Sequence, residues 1–285
     1  MQINASASEA IGERAISDAA SEGALRGQSG SRSKRRFSSV WLGRIAFIVV
    51  VIAGWQFASG TIVDPFFVSK PSEIWRELSA LVTSGSLLLN TLATLQEAAI
   101  GYAVGAISAV AFGFLLGRMR WLGEVLDPFV TAFFCIPKLA IAPLIILWFG
   151  IGLESKVVLA ALLTFYMTFW NTYAGVQKVD NDLLNVVRVM GATPWQLTRE
   201  VIFPASIGWT LVGLRMSVPY ALMGAVVGEI MAGNKGLGYL VQANASQFNT
   251  AGVFAVLIVL AIIGSVINQF VAFLDQRSQR WNVTN

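Results

Sequence analysis

Three charged side chains lie within strongly apolar stretches of this chain and are its best candidates for chemistry. Lys138 stands between Pro137 and Pro143, whereas Arg215 and Glu229 share a later apolar stretch. Charges at membrane depth are costly, so they usually face a water-filled cavity or pair with one another. Two interpretations stay open for the two cations: contact with an anionic solute, or a structural role as snorkelling or ion-paired side chains.

The composition excludes most catalytic and metal-binding chemistry. The 285 residues include no histidine and one cysteine, Cys135, so no disulfide, zinc-finger spacing or Cys–His nucleophile pair can form. The glycine-rich run at residues 233–238 lacks the Gly-x4-Gly-Lys-Ser/Thr spacing of a phosphate-binding loop. We therefore expect no catalytic residue, no metal site and no bound cofactor.

The hydropathy indicates a membrane protein. Hydrophobic residues make up 55% of the chain and charged residues only 13%, against about 25% charged in soluble proteins. A helix needs about 20 apolar residues to cross a bilayer. Six stretches qualify: residues 40–59, 92–117, 125–149, 156–176, 207–230 and 251–273. The sequence predicts an all-α fold, a polytopic membrane helical bundle of about six transmembrane helices.

The distribution of basic residues predicts the orientation. Most lie on the side that carries both termini, and only four lie on the other side. The majority are Lys34, Arg35, Arg36, Arg44, Arg118, Arg120, Lys178, Arg188, Arg199, Arg277 and Arg280. The minority are Lys70, Arg76, Lys156 and Lys235. By the positive-inside rule both termini are cytoplasmic, which explains the net charge of +4 without a nucleic-acid partner.

Two regions follow from this topology. Residues 1–39 are rich in Ala, Ser, Gly and charge without apolar periodicity, and are predicted to form a disordered cytoplasmic tail. Residues 40–285 form the transmembrane domain. Its second and fifth stretches carry small residues at every fourth position, which favours close helix packing in lipid. These residues are Gly101, Gly105, Ala109, Gly113 and Gly117, then Gly213, Ser217, Ala221 and Ala225.

A polar segment at residues 177–206 separates the fourth and fifth apolar stretches. Two short helical patterns meet there at Gly191, which we expect to supply a left-handed or close-contact turn. Pro204 is expected to end the second pattern. The segment is too short and too charged to cross a bilayer, so we expect it to lie on the cytoplasmic face.

The second pattern begins with a capping box. Thr193 offers an N-cap oxygen, Pro194 a fixed first-turn φ, and Gln196 the third-position partner. Trp195 and the apolar residues 201–203 follow, and we expect these apolar side chains to be buried against another apolar surface. The sequence therefore predicts a segment built to contact another protein.

The spacing in this segment resembles the signature of the inner-membrane permeases of bacterial ABC importers. That signature reads Glu-Ala-Ala, three residues, Gly, nine residues and Ile-x-Leu-Pro. The frame falls here on Asn185-Val186-Val187, Gly191 and Val201-Ile202-Phe203-Pro204. Gly and Pro match, whereas the triplet is replaced and Phe203 stands in place of Leu. A literal Glu97-Ala98-Ala99 occurs earlier, but Ala103 stands where the signature requires Gly.

From about Val63 to Asp275 the chain resembles the permease branch that serves nitrate, taurine, alkanesulfonate, bicarbonate and thiamine-precursor importers. Short runs spread along the chain carry the resemblance. They are Phe67-Val-Ser-Lys-Pro-Ser-Glu73, Ile136-Pro-Lys-Leu-Ala-Ile-Ala-Pro-Leu144, Trp148-Phe-Gly-Ile-Gly152, Asn171-Thr-Tyr-Ala-Gly-Val176, Gly213-Leu-Arg215, Glu229 and Gly236-Leu-Gly238-Tyr239.

The resemblance implies the permease subunit of an ATP-driven importer in the bacterial cytoplasmic (inner) membrane, which forms the pathway for a small anionic solute of the nitrate, sulfonate, taurine or bicarbonate type. Residues 40–285 would be the permease domain, with a coupling loop at 177–206. The implied partners are a dimer of cytoplasmic ATP-binding subunits, a second permease copy in a homodimer, an extracytoplasmic solute-binding protein and the lipid bilayer. ATP hydrolysis would belong to the partner, so the chain itself is expected not to be an enzyme.

Two sets of site residues follow, one from the signature segment and one from the charges within the apolar stretches. The ATPase-coupling set is Asn185, Arg188, Gly191, Ala192, Thr193, Pro194, Trp195, Gln196, Arg199 and Pro204. The pathway candidates are Lys138, Arg215 and Glu229. The alternative function is a stand-alone secondary transporter, which would need a titratable or ion-binding centre at mid-membrane.

Overall fold

The computed structural model describes residues 43–279, and the predicted tail at residues 1–39 lies outside them. The chain divides into two compact units between Pro65 and Phe66. The described part of the first unit contains helix α1 (Gly43–Ala58) and a tight turn in which the Gly60 amide donates to the Val63 carbonyl over 2.8 Å.

All regular secondary structure in the described residues of the second unit, 66–279, is helical. The helices are α2 (Pro71–Thr83), α3 (Ser86–Arg118), α4 (Arg120–Cys135), α5 (Ala142–Phe149), α6 (Leu153–Gln177), α7 (Asn181–Val189), α8 (Pro194–Gln196), α9 (Phe203–Ala232), α10 (Leu237–Ser246) and α11 (Thr250–Gln279). A 3₁₀ turn (Lys138–Ile141) precedes α5, and a π-helix (Leu197–Ile202) joins α8 to α9.

The all-α membrane fold predicted from hydropathy is confirmed. Four helical segments are long and apolar enough to cross a membrane: Ser86–Arg118, Leu153–Gln177, Pro194–Ala232 and Thr250–Phe273. A further stretch, predicted at residues 125–149, is broken into Trp121–Cys135 and Lys138–Phe149, which lie at 79° to each other. The described part of helix α1 is apolar but shorter than the about 20 residues that a perpendicular crossing requires, and residues 40–42 of the predicted stretch lie outside the described residues.

The break between α4 and α5 has a local cause. Ile136 and Pro137 are extended, because a residue before proline avoids helical dihedrals and Pro137 lacks the amide that would continue the ladder. Pro143 lies in the first turn of α5, where the missing amide costs nothing. The two prolines therefore lie where two separate helices meet at a bend, and they do not kink one continuous helix.

Helix α6 forms the centre of the second unit, with α3 on one side and α9 on the other. Small residues let the backbones touch: a Cβ on Gly105 would lie 2.4 Å from the Ala161 carbonyl oxygen, and one on Gly224 would lie 2.6 Å from the Cα of Ala160. The small-residue stripes predicted in the second and fifth stretches thus serve packing within the chain.

Helices α3 and α6 run parallel and α9 runs antiparallel to both, which gives the bundle two ends. The α7 end contains Arg118, Gln177 and Phe203, and the α10 end contains Ser86 and Leu153, together with the C-terminus of α9.

Pro204 does not end the helix that starts at Pro194, contrary to expectation. The π-helical turn Leu197–Ile202 leads directly into α9, and the Phe203 amide bonds five residues back to Thr198. Pro204 falls in the first turn of α9, where no amide is required. The predicted loop therefore merges with a membrane span.

The contact between α3 and α6 predicts a strong response to one added methyl group. Gly105→Ala forces a Cβ against the Ala161 backbone and should lower the free energy of unfolding by about 1–3 kcal/mol, measured by steric trapping or denaturant unfolding in detergent. Gly208→Ala on α9 is the control, because its Cβ would meet no atom within 4 Å. Equal stability of the two variants would contradict the packing assigned to α3.

Candidate functional site

The residues predicted to contact another protein lie in one exposed segment at the α7 end. Helix α7 is N-capped by Asp180, whose side chain accepts the Asp182 amide over 2.8 Å. It ends at Met190, after which Gly191 adopts φ +89° and donates its amide to the Arg188 carbonyl. The Gly191 turn is left-handed, as predicted, and a side chain there would be strained although space is open around it.

The predicted capping box is present at the start of α8. The Thr193 amide donates to Gln196 Oε1 over 2.9 Å, and the Gln196 amide donates to Thr193 Oγ1 over 3.3 Å. Pro194 occupies the first turn. The backbone that presents Trp195 is therefore held by local bonds.

An interaction from α3 fixes this segment to the bundle. Arg118 Nε donates to Thr198 Oγ1 over 2.9 Å, and that hydroxyl donates to the Pro194 carbonyl over 2.8 Å. Leu197 and Ile202 are buried beneath it. The sequence reasoning missed Arg118 as an anchor, because nothing local links it to a residue 80 positions later.

The outward-facing side chains of this segment are apolar and exposed. We define the docking surface as the side chains of Val186, Val189, Met190 and Trp195, which are 58%, 89%, 80% and 70% exposed. Ile202, which the sequence suggested would need a partner, is instead covered within the chain. An exposed apolar patch on an anchored backbone is typical of an interaction site.

The remaining coupling candidates surround the docking surface. Asn185, Arg188 and Arg199 are exposed, and Ala192 is half-buried in the turn. Pro204 is exposed at the start of α9. The structure thus places all ten predicted residues in one continuous segment, and their contact with an ATPase stays a prediction.

Lys138 lies at the bend between α4 and α5. Its Nζ is 3.7 Å from the centroid of the Tyr166 ring and donates to the Phe134 carbonyl. These contacts compensate the charge at membrane depth. Phe134 and Tyr166 also line a cavity of about 440 Å³, so Lys138 sits at its edge.

The three pathway candidates are not brought together. Arg215 is half-buried on α9, and Glu229 follows it by 14 residues, which corresponds to about 20 Å along a helix. Glu229 is 1% exposed, so no solute reaches it in this conformation. A role for these three residues in the pathway stays a prediction.

Glu229 belongs to a buried polar cluster at the α10 end. Thr94 Oγ1 donates to Glu229 Oε1 over 2.7 Å, and the Gly238 amide donates to Glu229 Oε2 over 2.6 Å. Both carboxylate oxygens therefore have partners. The cluster joins α3, α9 and the start of α10.

A buried ion pair lies beside this cluster. Lys156 Nζ is 3.1 Å from Glu97 Oε1, and both side chains are at most 2% exposed. The sequence analysis placed Lys156 at the end of the fourth stretch, on the side opposite the termini, and considered Glu97 only as part of an incomplete signature, so it did not predict the pair. Helix α6 begins at Leu153, so Lys156 already lies inside the bundle. Each of the two apolar stretches contains one of these charges. Because charges inside a membrane usually pair with one another, the sequence could have indicated this ion pair.

The ion pair predicts an asymmetric response to mutation. Lys156→Met leaves the Glu97 carboxylate buried without a counter-charge and should destabilise the protein by about 3–5 kcal/mol. The double variant Glu97→Gln with Lys156→Met should recover most of that loss in the same unfolding assay. A double variant as unstable as the single one would contradict the pairing.

Comparison with known proteins agrees with this architecture. Residues 101–280 match the family model described as binding-protein-dependent transport system inner membrane component. The protein named as an aliphatic sulfonates transport permease, SsuC, of Bacillus subtilis (strain 168) is 34% identical over 243 residues, covering 85% of this chain and 88% of that protein. The riboflavin transport system permease protein RibX of Chloroflexus aurantiacus is 35% identical over 255 residues, covering 89% and 95%.

The fold has solved relatives as well. A crystal structure of an amino acid ABC transporter aligns with a TM-score of 0.57 at 20% identity, covering 71% of this chain and 97% of that chain. The match of helices, family model and relatives along most of the sequence leads to one assignment: the chain belongs to the family of binding-protein-dependent transport system inner membrane components, the permeases of ABC transporters.

Proposed function

We propose that this chain is the non-catalytic, membrane-spanning subunit of an ATP-driven importer, and that its docking surface binds a dimer of cytoplasmic ATPase subunits. One observation carries the proposal. Val189, Met190 and Trp195 are largely exposed, yet the backbone that presents them is fixed by the Thr193 capping box and the Arg118 anchor. A preformed apolar surface loses little entropy on binding, which favours a specific partner.

The connections of the docking surface suggest how movement would reach the spans. The helix that starts at Pro194 continues through the π-helix into α9 without a break, and Arg118 links it to α3. Closure of the ATPase dimer on nucleotide would displace α7 and α8. Because α9 is the continuation of α8, the displacement would tilt α9 against α6.

The orientation proposed for the chain follows from charge. Arg118, Lys178, Arg188 and Arg199 lie at the α7 end, which supports a cytoplasmic position for that end in the bacterial inner membrane. Both termini would then be cytoplasmic. The α10 end would face the extracytoplasmic solute-binding protein, and a second identical copy of the permease would complete the pathway.

The solute we propose is a small anion of the sulfonate, taurine, nitrate or bicarbonate type. Support comes from Lys138 and Arg215, two cations at membrane depth, and from relatives named as aliphatic sulfonate permeases in Bacillus subtilis and Escherichia coli. A relative named for riboflavin is equally similar, so the assay below includes that compound.

The Gly191 turn predicts which variants retain the ATPase. Gly191→Val should insert in the membrane but co-purify with less than about one tenth of the wild-type amount of ATPase, because a β-branched residue is strained at φ +89°. Gly191→Asn is the matched control, since Asn adopts left-handed dihedrals far more readily. Wild-type yield and transport with Gly191→Val would contradict the coupling role.

The solute class is tested with the purified complex of permease, ATPase and binding protein in liposomes. ATP hydrolysis should rise when the binding protein is loaded with ethanesulfonate, taurine, nitrate or bicarbonate, and should not rise with riboflavin. Stimulation by riboflavin alone would overturn the anion assignment. Uptake by the permease without ATPase or ATP would instead support a secondary transporter.

A further inference from the structure

Three backbone amides at the start of α10 donate hydrogen bonds to side chains of two other helices. The Gly236 amide donates to Asn90 Oδ1 over 2.7 Å, and the Leu237 amide donates to Thr94 Oγ1 over 2.8 Å. The Gly238 amide donates to Glu229 Oε2 over 2.6 Å. A helix usually satisfies these amides with its own N-cap or with water. Here α3 and α9 supply all three partners.

Thr94 connects the two supporting helices. Its hydroxyl accepts the Leu237 amide and donates to Glu229 Oε1, so it bonds α10 and α9 at the same time. Thr94 is fully buried and Glu229 is 1% exposed. The carboxylate also lies at the positive end of the α10 dipole, which adds to the attraction.

The approach of α10 to Glu229 requires glycine. A Cβ on Gly236 would lie 2.1 Å from the Glu229 carboxyl carbon, and one on Gly238 would lie 2.4 Å from the Val226 carbonyl oxygen. Gly236 also adopts φ +110°. The run at residues 233–238, which lacks the spacing of a phosphate-binding loop, thus has a clear structural role.

Helix α10 forms one wall of a cavity at its end of the bundle. The cavity measures about 750 Å³ and is lined by α3, the 233–238 loop and α10. Its polar lining includes Gln96, Lys235, Tyr239 and Asn244. Such polar side chains favour contact with water rather than with lipid. Whatever moves α10 therefore reshapes the cavity.

We propose that Asn90, Thr94 and Glu229 are positioning residues that lock the start of α10 to α3 and α9, so that a tilt of α9 turns α10 about its bonded start and changes the shape of the cavity at the α10 end. The proposal rests on the proposed function, because the tilt originates at the docking surface. The lock carries motion from the α9 span to the wall of the cavity, a path that neither the family match nor the relatives specify.

The lock itself is tested by amide hydrogen exchange on the purified complex. Thr94→Val keeps the side-chain shape but removes the hydroxyl, so the amides of residues 236–238 should exchange about tenfold faster, as expected for one lost buried hydrogen bond. Thr164→Val is the matched control, because that equally buried hydroxyl bonds only to Ala160 of its own helix. Unchanged exchange at 236–238 in Thr94→Val would overturn the lock.

The transmission of motion is tested with a thiol reporter in the cavity. Ala243→Cys on α10, in a Cys135→Ser background, is labelled with a polar maleimide in the nucleotide-free and the vanadate-trapped complex. The labelling rate should differ by about tenfold between the two states with wild-type Thr94, a difference typical of a shifted two-state equilibrium. It should fall to less than twofold with Thr94→Val and stay intact with Thr164→Val.

The outcomes separate the lock from the proposed function. A nucleotide-dependent rate that survives Thr94→Val overturns the lock while leaving the importer mechanism intact. A rate that never responds to nucleotide, even with Thr94 present, overturns the coupled tilt and the lock together. Glu229→Gln, which retains an acceptor for Gly238, should give an intermediate response, and a complete loss there without a change in exchange would contradict the positioning role.

Discussion

The backbone contact of α6 with α3 and α9 is the constraint on which the rest of the structure depends. In lipid, helices gain nothing by hiding apolar side chains, so close packing and polar contacts must hold them together. Gly105 and Gly224 bring backbones so near that no Cβ fits between them. The same proximity lets Thr168 and Ser217 bond across α6 and α9 over 3.0 Å. The tilt proposed for α9 would therefore take place at this contact.

Both ends of the bundle build on that contact. At the α7 end, α9 extends beyond the bundle as the π-helix and α8, and Arg118 of α3 secures the extension. At the α10 end, α3 and α9 together cap α10, and the Glu97–Lys156 pair ties α3 to α6. Helix α9 is thus continuous with the docking segment at one end and bonded to a cavity wall at the other, which is the arrangement that a transmitted movement requires.

Local sequence patterns predicted local structure well. The Gly191 turn, the Thr193 capping box and four of the six predicted apolar stretches are confirmed, because each depends on residues close together in the sequence. The stretch at residues 125–149 is instead broken into two helices. Pro204 was misjudged, because proline is tolerated in a first helical turn and the π-helix preceding it could not be foreseen. The Lys156 pair, the Arg118 anchor and the cap of α10 join residues from distant parts of the chain. No periodicity encodes such pairs, and only the rule that buried charges seek partners pointed towards them.

The central claim is that the docking surface contacts the ATPase, and photo-crosslinking tests it most directly. Trp195 and Trp75 are 70% and 71% exposed, so a benzoylphenylalanine at either position would have similar access to a partner in the assembled transporter. The crosslinker at position 195 should capture the ATPase subunit, and the one at position 75, on α2, should not. Absence of an ATPase adduct from position 195 in a complex that still transports, or equal adducts from both positions, would contradict the account.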